Sequence, residues 1–161
     1  LQDFDLWRFD LEDTDAIDMA LQLRGFELDQ WAAFALDDGK VRHLVQEGNV
    51  ALKLLERQVE AMVPMAYRET IGGHDVPVAN APRHLADRLG HRLSEGEPFA
   101  AIYVEDGEQR YYSLRARPES GVDLSEVAGL HGGGGHPTAA AFRAPRPPGA
   151  EALPIAANRP N

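Results

Sequence analysis

A change of hydrophobic period at Pro64 constrains this chain more than any other feature. From about residue 40 to residue 62, apolar side chains fall at Val41, Leu44, Val45, Val50, Leu52, Leu55, Val59 and Met62. Most are three or four apart, the spacing of one helix face, and Pro64 stops the helix. Earlier, Asp13-Thr14 suits the start of a helix carrying Ile17, Leu21 and Leu23 that Gly25 would end. Residues 29–36, with Trp31 and Phe34, read as a second short helix. After Pro64 the period shortens. Residues 65–70 and 75–80 flank Gly72-Gly73 as two strands and a turn. An amphipathic helix over residues 83–93 carries Leu85, Leu89 and Leu93 on one side. Residues 99–104 and 109–114 read as a hairpin around Glu105-Asp106-Gly107-Glu108. Asp123 is a good N-cap, and Glu126 completes a capping-box spacing. Residues 139–142 enter a last strand or helix. The expected fold class is α+β: a helical N-terminal lead-in, then a small mixed sheet with helices and a glycine-rich loop. The lead-in covers residues 1–63, the sheet domain 64–144, and a Pro/Ala/Gly/Asn-rich tail 145–161 is expected to be loose.

Charge narrows the partners. The 161 residues include 26 acidic and 16 basic side chains, a net charge of −10. General electrostatics then oppose binding to long duplex nucleic acid. Any polyanion must meet a local basic or backbone-amide site, which favours a small substrate. There is no cysteine, so disulfides, thiolate metal sites and cysteine nucleophiles are excluded. No apolar run approaches the roughly 20 residues of a membrane span, and no signal peptide is visible. A cytoplasmic location fits these features.

The strongest local signal is His131-Gly132-Gly133-Gly134-Gly135-His136-Pro137. Each glycine loses more backbone entropy on folding than another residue would. Four in succession therefore need a reason. A stretch without side chains lets a ligand reach the backbone, and successive free N–H groups can form an anion-binding nest. A helix starting just after His136, with Pro137 in its first position, would add its N-terminal amides. His136 would stand beside the nest as a donor or proton-transfer group. The alternative is a flexible linker with a chance histidine. Flanking Ala128, Leu130 and residues 139–142 look like core and favour the first reading. Ser113-Leu114-Arg115-Ala116-Arg117 closes a predicted strand. The forked guanidinium of Arg115 suits phosphate oxygens. A solvated arginine on a strand edge is the other reading.

Taken together, Tyr112-Ser113-Leu114-Arg115, residues 121–128 and Gly132-Gly133-Gly134-Gly135-His136-Pro137 followed by Ala139-Ala140 resemble the DHH-associated domain. That domain forms the C-terminal half of DHH phosphoesterases, which include RecJ-like exonucleases, nano-RNases and cyclic-dinucleotide phosphodiesterases. The resemblance is specific over residues 99–142 and weaker back to Gly72-Gly73. The opening residues 3–7 resemble the segment that follows the catalytic domain in some members. The resemblance implies that a separate N-terminal domain holds two manganese ions with an Asp-His-His motif, while this domain closes over the substrate. By match, substrate contacts fall on Arg115, Gly132, Gly133, Gly134, Gly135 and His136. Two departures stand out. The family's Ala-Ala-Gly-Phe is here Ala139-Ala140-Ala141-Phe142, and alanine adopts positive φ at a cost, so the loop exit is expected to differ. No Asp-His-His occurs anywhere, and Gly73-His74-Asp75 does not match it.

The expected function is the substrate-binding half of a phosphoesterase (a hydrolase) that cleaves phosphodiester or phosphoanhydride bonds by two-metal catalysis. This chain alone is expected to be inactive, without a catalytic residue of its own beyond an assisting His136, and to bind neither metal nor cofactor. Manganese belongs to the catalytic domain, which is the expected partner. Candidate substrates are short oligonucleotides, cyclic dinucleotides, nucleoside bisphosphates and polyphosphate. No membrane partner is expected, and a homodimer is left open. A second reading is a nucleotide or tRNA-binding module without catalysis, as in the related domain that ends alanyl-tRNA synthetases. A third is a structural or dimerising remnant. His43, His74-Asp75, His84 and His91 read as surface histidines, Trp7 and Trp31 as docking or core residues, and Asp10, Glu12, Asp13 and Asp15 as a solvated helix start.

Overall fold

The computed structural model describes residues 13–24 and 38–147. The expected helix over residues 29–36, Trp7, Trp31, Asp10, Glu12, the opening residues 3–7 and the tail from 148 lie outside them. The chain divides into two compact units between Ala61 and Met62.

In the first unit, α1 spans Thr14–Arg24 and α2 spans Asp38–Met62. The face that α1 buries differs from the expected Ile17/Leu21/Leu23 stripe. Ala16 and Ala20 are buried, while Leu23 is 67% exposed. The cause is a close backbone approach. A Cβ on Gly48 would lie 1.8 Å from the Ala16 carbonyl oxygen. Only small side chains fit where two helix backbones meet at that distance. Arg24 and Glu47 form an ion pair between the same helices.

The second unit is α+β. Its strands are β1, Tyr67–Ile71; β2, His74–Asn80; β3, Ala100–Asp106; β4, Gln109–Arg115; β5, Gly134–His136; and β6, Ala139–Pro145. Two helices accompany them: α3, Ala86–Leu93, entered through a short 3-10 turn at Arg83–Leu85, and α4, Leu124–Gly129. The six-stranded sheet runs β1-β2-β3-β4-β6-β5. All neighbours are antiparallel except β2 and β3, which α3 connects in parallel. Gly72 and Gly73 both have positive φ (57° and 84°), the backbone that a two-residue type I′ hairpin requires. Pro77 is tolerated inside β2 because β3 pairs only with Val78 to Asn80.

The pleat sorts the side chains. Val76, Val78, Ala101, Tyr103, Tyr112, Leu114, Ala140 and Phe142 form one buried face with Leu124, Val127 and Ala128 of α4. Asp123 caps α4 as its spacing predicts, its Oδ1 accepting from Ser125 N at 2.8 Å. These hydrogen bonds from Ser125 hold its carboxyl below the usual carboxylate range. The opposite face carries α3. Leu85 and Leu89 are buried there as expected, and Gly90 lies against Ile102 and Arg115.

Candidate functional site

The glycine run is half loop and half strand. Residues 134–136 pair with β6, and Pro137-Thr138 form the turn between the two strands. The expected helix after His136 is thereby corrected. Pro137 starts no helix, because Ala139 to Pro145 alternate inward and outward along β4 and continue the sheet. The concern over Ala141 also resolves. It lies in extended β6, and Asp13 is the only non-glycine residue with positive φ among those described.

Accounting for the amides narrows the nest. The N–H groups of His131 and Gly133 donate to Ala128 O (3.0 and 2.9 Å), and that of Gly132 donates to Gly129 O (3.0 Å). In an antiparallel ladder, hydrogen-bonded pairs alternate with non-bonded ones, and the pair flanking a two-residue turn is bonded. His136↔Ala139 is that pair, so Gly134↔Ala141 is bonded too. Gly135 is left with its N–H facing the free edge of the sheet. His131 turns away from the α3 face and stacks on Phe142, with ring centroids 4.3 Å apart.

The register brings the two charged candidates onto one face. Arg115 of β4 lies opposite Ala139 of β6, and Ala139 lies opposite His136 of β5. Directly opposed residues project to the same side of a sheet. Arg115 and His136 therefore share the α3 face, two strand spacings apart, roughly 10 Å. His136 is exposed. Arg115 is largely engaged. Its Nε donates to Asp87 Oδ1 at 2.8 Å, its Nη2 donates to the same oxygen, and its Nη1 donates to Leu114 O at 2.7 Å.

Beside this row opens a cleft of about 410 Å³. Ser113 and Ala141 form its floor, Gly132 and Gly133 one rim, and Arg83 and Ala86 the other. Tyr111 and Arg143 close its far end. Sequence reasoning did not single out Arg83, Arg143 or Tyr111. The signal for Arg143 was its place one residue after the inward Phe142, which has meaning only once the β6 register is known.

This fold also holds an acid-sensitive group. Burial, then the neighbouring charges of Arg115 and Arg117, push the His91 imidazole down to about 4, with Asp87 opposing. The unfolded chain takes up a proton near pH 6.5 that the folded chain refuses until about pH 4. Stability should therefore fall as pH drops through that window. Solvent screening of a half-buried ring reduces the effect to roughly 1–2 kcal/mol. Urea unfolding at pH 7 and pH 5 should show this loss in the wild type and a smaller one in His91→Gln. Equal losses would remove His91 as the cause.

The model of the DHHA1 domain matches residues 78–158, half of the chain. This chain belongs to the DHHA1 domain family. The match to the DHHA1 domain begins inside β2 and takes in α3, the cleft, α4 and the glycine edge. Two solved structures are similar. One is a pGpG-specific phosphodiesterase, PggH, from Vibrio cholerae, at 11% identity and TM-score 0.45. It aligns with 63% of this chain and 37% of its own length. The other is a DHH domain described as a member of the S1p family of ribosomal proteins, at 16% identity and TM-score 0.45. It aligns with 64% of this chain and 29% of its own length. The chain thus spans well under half of either protein. No curated protein matches it.

Proposed function

We propose that this DHHA1 domain holds a nucleotide phosphate on its α3 face for a DHH-type catalytic domain that hydrolyses a phosphodiester or phosphoanhydride bond. The observation that carries this reading is the row Arg115–Ala139–His136, which sets a permanent cation and an exposed imidazole on one side of the glycine edge. Phosphate binding needs several donors converging on one place. The Arg115 fork and the His136 ring supply donors on one face, and the Gly135 amide adds one at the neighbouring edge. Gly134 adds space, since a Cβ there would meet nothing within 4 Å.

Among the described residues no three His, Asp or Glu side chains group to hold a metal ion. This chain's part in the reaction is binding and orientation. No helix among the described residues is long and apolar enough to cross a membrane.

The test is direct. The purified chain, titrated calorimetrically with adenosine 5′-monophosphate and with a 5′-phosphorylated dinucleotide, should bind without turning either over, with or without manganese. Binding should return the ligand intact by chromatography. Metal-dependent turnover by this chain, or no binding of either ligand, would overturn the reading.

A further inference from the structure

The cleft beside the Arg115–His136 row carries charge that the row does not use. Arg83 stands on one wall and Arg143 at the far end, both exposed. Neither forms an ion pair or a side-chain hydrogen bond with a described residue. Other arginines of this unit are engaged: Arg68 with Asp75 and Glu97, Arg110 with Glu105, and Arg115 with Asp87. Arg83 and Arg143 thus place two unengaged guanidinium groups on one cleft of a chain whose net charge is −10. Like charges facing one concavity repel, so their arrangement is favourable chiefly when an anion lies between them.

The floor is shaped for such a ligand. On this face the successive cross-strand rows are Arg115–Ala139–His136, then Ser113–Ala141–Gly134, then Tyr111–Arg143. The middle row has no large side chain and leaves Ala141 exposed. The middle row thus places no large side chain between the first row and the third. Ala139 and Arg143 are four residues apart on β6, which sets the ends of that track roughly 13 Å apart. Tyr111 adds an aromatic ring at the far end, and aromatic faces accept any base.

We infer that Arg83 and Arg143 form a second anion subsite, separate from the glycine edge, that selects ligands carrying another phosphate beyond the first. The inference rests on the proposed phosphate site at the Arg115–His136 row and assigns what lies beyond it. The second phosphate sits between the two guanidinium groups, and the backbone of the ligand crosses Ser113 and Ala141. A single phosphate fills only the first row and gains nothing from Arg83 or Arg143.

The experiment compares adenosine 5′-monophosphate with a 5′-phosphorylated adenine trinucleotide. Affinities are measured calorimetrically on the full chain at several salt concentrations, for wild type, Arg83→Ala, Arg143→Ala and Arg143→Lys. The trinucleotide should bind more tightly than the mononucleotide. Arg143→Ala and Arg83→Ala should each lower trinucleotide affinity about tenfold, as loss of a charge-assisted contact does, and leave the mononucleotide unchanged. Each should also reduce the salt slope for the trinucleotide by about 0.7, one phosphate contact on a single strand. Arg143→Lys should keep the slope. Both positions are exposed, and urea unfolding checks that each variant is folded. A trinucleotide advantage that survives both alanine variants overturns the subsite while leaving the first phosphate site standing. Equal affinity for the two ligands in the wild type does the same. No binding of either ligand overturns both.

Discussion

Gly133→Ala should destabilise the second unit by roughly 2–4 kcal/mol, whereas Gly134→Ala should leave its stability within about 1 kcal/mol of wild type. The difference follows from what each position faces. A Cβ on Gly133 would lie 2.2 Å from the Ala141 carbonyl oxygen and 2.6 Å from Phe142 Cβ. Those are atoms of β6, held between β4 and β5, and they cannot swing aside. Gly133 also donates its N–H to Ala128 O, so shifting it would loosen the end of α4. Gly135→Ala should be costly as well, since its φ is 150° and its Cβ would lie 2.5 Å from Ala139 O. Gly134 has neither constraint. Its Cβ would project into open space on the α3 face, in the same cross-strand row as Ala141. Three of the four glycines thus have an explanation within the fold: positive φ at Gly132 and crowding at Gly133 and Gly135. The fourth is glycine where the chain itself asks for nothing. If that space serves a ligand, Gly134→Ala should weaken nucleotide binding while the urea midpoint stays put. A large stability loss in Gly134→Ala, or none in Gly133→Ala, would show that β5 does not pack as described.

The same glycines show how far the sequence could be read. Elements with their own periodicity were legible: the hairpins around Gly72-Gly73 and Gly107, and the buried Leu85 and Leu89 of the 3-10 turn and α3. Each follows from side-chain pattern and turn chemistry. β5 was not legible, because glycine has no side chain to alternate and little strand preference of its own. It is a strand only because β6 presents an open edge to it. Phosphate chemistry pointed to the same seven residues for a different reason, and it anticipated a helix where the turn at Pro137-Thr138 leads into β6. The buried face of α1 was missed for a related cause. Counting large apolar residues favours Ile17, Leu21 and Leu23, but the contact is made by Ala16 against Gly48. There backbone approach decides the packing, and apolar size does not. Arg115 stood out in the sequence through its motif. Its partner Asp87, 28 residues away, needed the fold.

Arg115→Ala should produce the largest loss of nucleotide binding of any single change on this face, about 1.5–3 kcal/mol, accompanied by a stability loss of roughly 1–2 kcal/mol. Both parts come from the same side chain. Its guanidinium joins α3 to the sheet through Asp87, and its stem packs on Gly90, where an added Cβ would lie 2.7 Å from Arg115 Cγ. Asp87 is more exposed than Arg115, so the ion pair itself contributes modestly, and much of the stability loss is lost packing. Asp87 takes Nε and one hydrogen of Nη2, while Leu114 O takes one hydrogen of Nη1. A guanidinium has five N–H donors, so two remain, one on each terminal nitrogen, for a phosphate. The engaged donors fix the direction of the free ones, which removes rotamer entropy before a ligand arrives. Arg115→Lys separates the roles. A lysine keeps the charge but has no planar fork to hold Asp87 and a phosphate together. It should restore part of the stability and little of the binding. Asp87→Asn should retain the Arg115 charge while loosening its aim, so binding should weaken with a smaller change in the salt slope than Arg115→Ala gives. Calorimetry and urea unfolding on the four proteins provide both readouts. If Arg115→Ala loses stability yet binds nucleotide as tightly as wild type, Arg115 is a staple between α3 and β4, and the phosphate site must be built from His136 and the glycine edge alone.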